Sequence, residues 1–141
     1  MRIPCTLLLV LALLAGCSSV DTKTEIISNV RVLHHFFVRT ASNDSNHVDA
    51  LIVQELQRLG YDASSGPRTM MPNEAEAVID YEGQWTWDFR TYLIQLNVTI
   101  RDARTEAKLA GGQVFHPGVT TKTPEELVHA VLAPIFAPKK K

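Results

Sequence analysis

Two long stretches in the middle of the chain alternate strictly between apolar and polar side chains. The first, AVIDYEGQWTWDF, has an apolar side formed by Ile79, Tyr81, Gly83, Trp85, Trp87 and Phe89. The second, YLIQLNVTIRD, has an apolar side formed by Tyr92, Ile94, Leu96, Val98 and Ile100. A period of two residues indicates strands with one buried face. Because only a few residues separate the two stretches, they predict a β-hairpin.

The rest of the pattern predicts two helices and three further strands. VRVLHHFFV, residues 30–38, is rich in β-branched and aromatic residues and predicts a first strand. Residues 48–59 repeat apolar positions at helical spacing, with Ser45 or Asn46 as the cap, and residues 123–136 begin with a capping box of Thr123 and Glu126. A brief extended piece at 61–64 and a strand at 107–116 complete the series, and the two glycines of the latter predict a bulge or a sharp bend.

The apolar faces of these elements are best buried in a single α+β domain over residues 30–138. We expect an antiparallel sheet of about four strands with two helices packed on one face, in the order β-α-(β)-β-β-β-α. Residues 18–29 show no clear period and predict a tether, which could reach about 40 Å when fully stretched.

The beginning of the chain predicts an export signal. Residues 1–16, MRIPCTLLLVLALLAG, carry one positive charge, then a leucine-rich run that ends in Ala15-Gly16. The apolar run has 14 residues, whereas a membrane-spanning helix needs about 20. It therefore predicts a leader that is removed.

The sequence Leu14-Ala15-Gly16-Cys17 resembles the lipobox of bacterial lipoproteins at all four positions. The resemblance implies that Cys17 becomes the first mature residue and carries three acyl chains, which anchor a protein stably. Ser18, where an Asp would signal retention in the inner membrane, implies the periplasmic side of the outer membrane. The alternative is an ordinary secretory signal that leaves Cys17 as a free thiol.

Charge and cysteine content exclude some classes of function and of stabilisation. The net charge of −1 gives no general affinity for nucleic acid. Cys5 lies in the leader, so a mature chain with a lipidated Cys17 has no thiol left for a disulfide. The basic tail, residues 139–141, predicts a frayed end or, alternatively, a contact with anionic lipid or cell-wall polymer.

Two groups of side chains are candidates for binding. Trp85, Trp87 and Phe89 lie on one side of a predicted strand and could stack on sugar rings or on an apolar partner, although the alternative is that they cover the core. The predicted wet face combines Asp80, Glu82 and Asp88 with the first-strand residues Arg31, His35, Phe37 and Arg39. Cross-strand ion pairs are the expectation there, and the mixed apolar character makes Arg31, His35 and Phe37 candidates for docking.

No pattern in the sequence predicts a cofactor, a metal site or catalysis. His34 and His35 point to opposite faces of a strand and cannot readily grip one ion, so we expect His34 to be a core histidine. Asp80 and Glu82 lack a nucleophile or a second catalytic signature. The sequence therefore favours a protein that is not an enzyme.

A second resemblance covers about residues 30–138. The segments LIVQELQRLGY, AEAVIDYEG, IRDARTEAKL and LVHAVLAPIFAP occur in an order similar to that of small outer-membrane lipoproteins with an α/β domain of unknown function. It departs from them at Ala110-Gly111-Gly112, where they often carry a Trp. The expected function is a binding or assembly accessory for another envelope component. The alternative is a carrier, or an auxiliary subunit of a transport system, that binds a lipid or saccharide in an apolar cleft.

Overall fold

One mixed β-sheet organises the described part of the chain. The computed structural model describes residues 20–117 and 122–138. The strands are β1 (Asp21–Ile26), β2 (His35–Arg39), β3 (Asp62–Gly66), β4 (Ala77–Trp87), β5 (Thr91–Asp102) and β6 (Lys108–Phe115). The helices are α1 (Val48–Arg58) and α2 (Pro124–Phe136). The order across the sheet is β1-β6-β5-β4-β2-β3.

The predicted α+β class with two helices is confirmed, and the predicted sheet is only roughly right. The sheet has six strands instead of about four. The pairs β1–β6, β6–β5 and β5–β4 are antiparallel. Strand β2 runs parallel to both of its neighbours, β3 and β4. The parallel pairs arise because α1 and the 67–76 segment return the chain to the same end of the sheet, as a crossover does.

Residues 21–26, which we predicted as part of a tether, form strand β1 instead. This strand pairs with β6 along its whole length, with Asp21 opposite Phe115 and Ile26 opposite Ala110. Most of its side chains are exposed because it lies at the edge of the sheet, and its polar sequence therefore carried no hydrophobic alternation. Within the described residues, strand pairing therefore starts at Asp21 and not near residue 30.

The predicted strand over 30–38 is shorter than expected. Val30–Val32 form a 3-10 turn, and β2 starts only at His35. The Glu76 carboxylate accepts hydrogen bonds from the backbone N–H of His34 and His35 at 2.6 and 2.9 Å and fixes the chain where the turn ends. Because the strand pattern does not extend back through this turn, His34 is exposed. The prediction of a core histidine there is wrong.

Both helices occur where their patterns predicted them. In α2 the capping box is complete: Glu126 N–H donates to Thr123 Oγ1 at 3.2 Å, and Thr123 N–H donates to the Glu126 carboxylate at 2.7 Å. In α1 the cap differs from the prediction, since His47 occupies the N-cap in a left-handed conformation without a side-chain cap bond. The Asp44 carboxylate accepts the backbone N–H of Asn46 and Asp49 just ahead of the helix.

The core lies between one sheet face and the two helices. It is formed by Phe36, Val38, Ile79, Leu96, Val98, Ile100 and Val114 from the sheet and by Ile52, Leu56, Leu127, Val131, Leu132 and Ile135 from the helices. A Cβ atom at Gly112 would lie 2.9 Å from Val131 Cγ2 and 3.1 Å from the Val131 carbonyl oxygen. Gly112 therefore lets α2 approach the sheet closely. The irregularity that we predicted at the two glycines of β6 lies instead at Leu109, which has no partner in β5.

A bulge in the β4–β5 hairpin reverses the predicted orientation of one end of β5. Gln84 pairs with Gln95 but Trp85 pairs with Leu93, so Ile94 is the additional residue. Beyond a one-residue bulge the two faces exchange their residues. Leu93 is consequently buried in the core, and the prediction that Tyr92 and Ile94 share the inward side with Leu96 is wrong.

Candidate functional site

The predicted aromatic row is divided by the structure into a buried part and an exposed part. Trp85 is partly buried and packs against the core. Trp87 and Phe89 are 71% and 92% exposed, with ring centroids 6.0 Å apart. Phe89 lies in the tight loop that joins β4 and β5, with a φ of 58°. We call Trp87 and Phe89 the aromatic tip.

The aromatic tip lies at the same end of the sheet as the start of β1. Asp21 pairs with Phe115, Phe115 pairs with Gln95, and Gln95 pairs with Gln84. From this row the β4–β5 hairpin continues by three further residues to Trp87, the last paired residue of β4. The chain ahead of β1 and the aromatic tip therefore leave the sheet at one end, which we call the tip end.

Of the candidate docking residues Arg31, His35 and Phe37, Phe37 is not available to a partner. Phe37 is only 2% exposed, although it lies on the face opposite the helices. Arg31 belongs to the exposed 3-10 turn, and His35 Nδ1 lies 3.0 Å from Asp62 Oδ2. A Cβ atom built at Gly66 would lie 3.7 Å from Phe37 Cζ and 3.6 Å from Met70 Cβ, so the end of β3 and the turn after it lie near Phe37.

An ion-pair network closes the same half of this face. The Arg39 guanidinium donates two hydrogen bonds of 2.6 Å to the Asp80 carboxylate and two of 3.1 Å to Glu106. Arg101 Nε donates to Asp80 at 3.3 Å. The hydrogen bonds to Asp80 are the main reason that the pKa of Arg39 is raised. The expected cross-strand ion pairs are thus present, and we call this region, around Phe37 and Arg39, the closed half.

The other half of the helix-free face, over β1, β6 and β5, is polar and open. Its central row is set by strand register, which places Lys23 beside Gln113 and Gln113 beside Asn97. A depression of about 310 Å³ lies here, lined by Lys23, Thr24, Glu25, Asn97, Val98, Thr99, Lys108, Gly111, Gly112 and Gln113. The Lys108 ammonium pairs with the Glu25 carboxylate at its edge. We call this region the open half.

Sequence reasoning missed the open half because it missed β1. The outward positions Gln95, Asn97 and Thr99 of β5 alternate with buried residues, and this was the one available signal. Without β1, however, nothing indicated that Lys23 and Glu25 lie beside them.

Other depressions are more charged or smaller. A groove of about 610 Å³ lies beside α1 and α2 and is lined by Val20, Thr22, Glu55, Arg58, Lys122, Glu125, Glu126, His129 and Ala130. In it Arg58 forms two hydrogen bonds with Glu55, at 2.8 and 2.6 Å, and these chiefly lower the pKa of Glu55. The depression beside Trp85 has about 120 Å³, and neither residue of the aromatic tip lines it.

Several predictions concern residues beyond the described ones. The leader, Cys17 and the lysines at 139–141 lie outside residues 20–117 and 122–138. Among the described residues, no three His, Cys, Asp or Glu side chains are placed to hold a metal ion. Within those same two ranges, no helix combines the length and the apolar character needed to cross a membrane.

Comparison with known proteins identifies relatives by fold alone. No family model and no curated protein matches the chain. Two structures of PelC dodecamers from Paraburkholderia phytofirmans are similar, each with a TM-score of 0.60 over 84% of this chain; they cover 99% and 96% of PelC at 14% and 11% identity. A PDZ domain protein from Parabacteroides distasonis has a TM-score of 0.51 at 13% identity, over 87% of this chain and 36% of its own. At these identities the similarity shows a shared fold alone.

Proposed function

We propose that this chain is a lipid-anchored protein of the outer membrane, facing the periplasm, whose domain acts as a non-enzymatic binding or assembly accessory for another envelope component. The lipobox resemblance at Leu14–Cys17 supports the location. The observation that carries the binding role is the open half, since both helices pack on the opposite face and leave it accessible.

The chemistry of the open half fits a polar partner. The carboxamides of Gln95, Asn97 and Gln113 can pair with peptide groups or with sugar hydroxyls, although Gln95 Nε2 already donates to Asn97 Oδ1 at 3.3 Å. Lys23 adds a cation at an exposed edge strand. Asn97 and Gln113 line the depression, which gives a partner a shallow concave surface.

A second copy of this chain is the first partner to test. The two similar PelC structures are dodecamers, so this fold is compatible with self-association. In the described sheet β1 and β3 are the edge strands, and β1 presents backbone groups on the side away from β6. An unpaired edge can accept a further strand from another chain.

The carrier alternative has less support. A carrier of a lipid or saccharide needs a largely apolar cleft of about 300 Å³ or more. The depression beside Trp85 is smaller, at about 120 Å³. The larger groove beside the helices has a mainly apolar exposed surface, but it is bordered by the charged side chains of Glu55, Arg58, Lys122, Glu125 and Glu126.

Site-specific photocrosslinking of the full, processed chain in its native envelope tests the binding role. A photoreactive residue is placed at Asn97 or Gln113, and in a matched control at Gln54, an exposed carboxamide on α1. We expect adducts from positions 97 and 113 and none from 54. A product of twice the chain mass identifies a second copy, another discrete mass identifies a different protein, and a heterogeneous smear identifies a saccharide. Equal adducts at all three positions, or none, would refute the role of the open half.

The anchor is tested separately by the Cys17→Ser variant. We expect mass spectrometry to find acyl chains on the wild-type mature protein and the variant to leave the membrane fraction. An unmodified wild-type Cys17 would refute the proposed location.

A further inference from the structure

We propose that the aromatic tip inserts into the lipid interface of the membrane that holds Cys17, so that the domain is attached at two points. This inference rests on the proposed function, because it requires the lipid anchor at Cys17. It is carried by three observations: the short connection between Cys17 and β1, the position of the tip, and the exposure of its two rings.

The connection between the anchor and the folded domain is short. β1 begins at Asp21, four residues after Cys17. Since a chain extends at most about 3.6 Å per residue, these four steps span no more than about 14 Å. The tip end of the sheet is therefore held close to the lipid surface, whereas a tether running to residue 29 would have left the domain free to stand well away from it.

The aromatic tip projects toward the same side. The hairpin continues three residues past Gln84, which lies in the sheet row that contains Asp21. At about 3.3 Å per residue this is an extension of about 10 Å. The hairpin thus projects about as far beyond this row as the residues between Cys17 and Asp21 can reach. The acyl chains at Cys17 and the rings of Trp87 and Phe89 can therefore lie at the same level in the membrane.

The chemistry of the two rings suits the boundary between headgroups and acyl chains. Trp87 and Phe89 are exposed by 71% and 92% and pack only loosely on each other, with centroids 6.0 Å apart. Tryptophan is enriched at membrane interfaces because its ring is apolar and its N–H is polar. Three acyl chains already hold the protein strongly. The tip therefore fixes the orientation of the domain and adds little to the strength of its attachment.

Depth-dependent fluorescence quenching of the lipidated full chain tests this insertion. The chain has two tryptophans, so Trp85→Phe leaves Trp87 as the single reporter. The protein is reconstituted into vesicles of phosphatidylethanolamine and phosphatidylglycerol that contain lipids brominated at different acyl positions. We expect a blue-shifted Trp87 emission and the strongest quenching by bromines near the top of the chains, at a depth of about 5–10 Å.

Matched variants control for tryptophan environment and for general apolar contact. Trp87→Phe leaves Trp85, which packs against the core and should stay unquenched. Phe89→Ser should cause a loss of Trp87 quenching, because it removes the neighbouring ring. Ile27→Ser should leave the quenching unchanged, since Ile27 is 58% exposed but lies past the opposite end of β1.

The outcomes separate this inference from the proposed function. Vesicle-bound, acylated protein with an unquenched Trp87 would overturn the insertion and leave the anchor intact. A blue-shifted but unquenched Trp87 would also overturn it, and would show that protein, such as a second copy, covers the tip. Mature protein without acyl chains that fails to float with vesicles would refute the proposed location itself.

Discussion

The closed and open halves of the helix-free face belong to one sheet but use their side chains differently. In the closed half, Phe37 is buried, and the carboxylates of Asp80 and Glu106 are bound by Arg39. In the open half, Asn97 and Gln113 line a depression and remain partly exposed. The difference teaches that a helix-free face is not by itself a docking surface. We expect changes in the closed half to reduce stability and changes in the open half to reduce binding.

The largest expected effect is that of Phe37→Ala. Removing a buried ring leaves a cavity and should lower the free energy of unfolding by about 3–5 kcal/mol. Urea denaturation measures this loss, and crosslinking from Asn97 should persist in the fraction that remains folded. As a control, Val32→Ala at a 63% exposed position should change stability by less than about 0.5 kcal/mol. A similarly small loss for Phe37→Ala, together with lost crosslinking, would restore Phe37 as a binding residue.

The next effect is that of Arg39→Ala, which leaves two carboxylates without their shared cation. The Arg39 side chain is 19% exposed, so the loss should be about 1–3 kcal/mol, between the values for exposed and fully buried pairs. Arg58→Ala provides the comparison, because Arg58 is 56% exposed and Glu55, although only 11% exposed, keeps its contact with His129 Nδ1 at 2.7 Å. The loss for Arg58→Ala should therefore be clearly smaller than that for Arg39→Ala. Equal losses in urea denaturation for the two variants would contradict the distinction between a closed and an exposed ion pair.

A smaller effect is expected at Glu76, where it depends on pH. Backbone N–H groups of His34 and His35 bind its carboxylate and lower its pKa below the ordinary value of 4.5. A carboxylate with a lowered pKa in the folded state stabilises the protein above its unfolded pKa, and this stabilisation is lost as the pH falls through the folded pKa. Glu76→Gln should therefore be less stable than the wild type at pH 7, with the difference shrinking as the pH falls below 4.5. A difference that is constant over this range would show that the charge of Glu76 contributes nothing.

The smallest effect on stability is expected in the open half. Asn97→Ala and Gln113→Ala should each change the free energy of unfolding by less than about 0.5 kcal/mol, because partly exposed polar side chains add little to the folded state. Crosslinking from a photoreactive residue at Lys23, which lies beside Gln113 and in one row with Asn97, should nevertheless fall in each variant. Losses of stability as large as that of Arg39→Ala would show that the open half is structural as well.

Patterns contained within one element were sufficient to predict much of the fold. The capping box of Thr123 and Glu126 and the apolar stripe of α1 depend on residues a few positions apart, and both occur as expected. Strand β1 could not be predicted in this way, because its sequence is polar and it becomes a strand only by pairing with β6, some 90 residues later. The burial of Phe37 on the helix-free face likewise depends on tertiary packing, which the alternation of β2 does not reveal.

The candidate site was predicted only in part, because its exposure also depends on contacts between different elements. Alternation correctly placed Trp85 and Trp87 on one side of β4, but it could not show that the β4–β5 hairpin continues beyond the pairing with β6 and leaves Trp87 exposed. The bulge at Ile94 was also beyond reach, since a single additional residue in β5 leaves both flanking patterns intact.

The pairing of β1 also has a mechanical consequence. A pull on the chain ahead of Asp21 that is parallel to the strands and directed outward beyond the tip end loads the hydrogen bonds between β1 and β6 in shear. All of these hydrogen bonds then resist together. A pull across the sheet would instead open the same ladder one bond at a time, beginning at Asp21. The strength of this attachment thus depends on the direction of force, and it is greatest when the load runs parallel to β1.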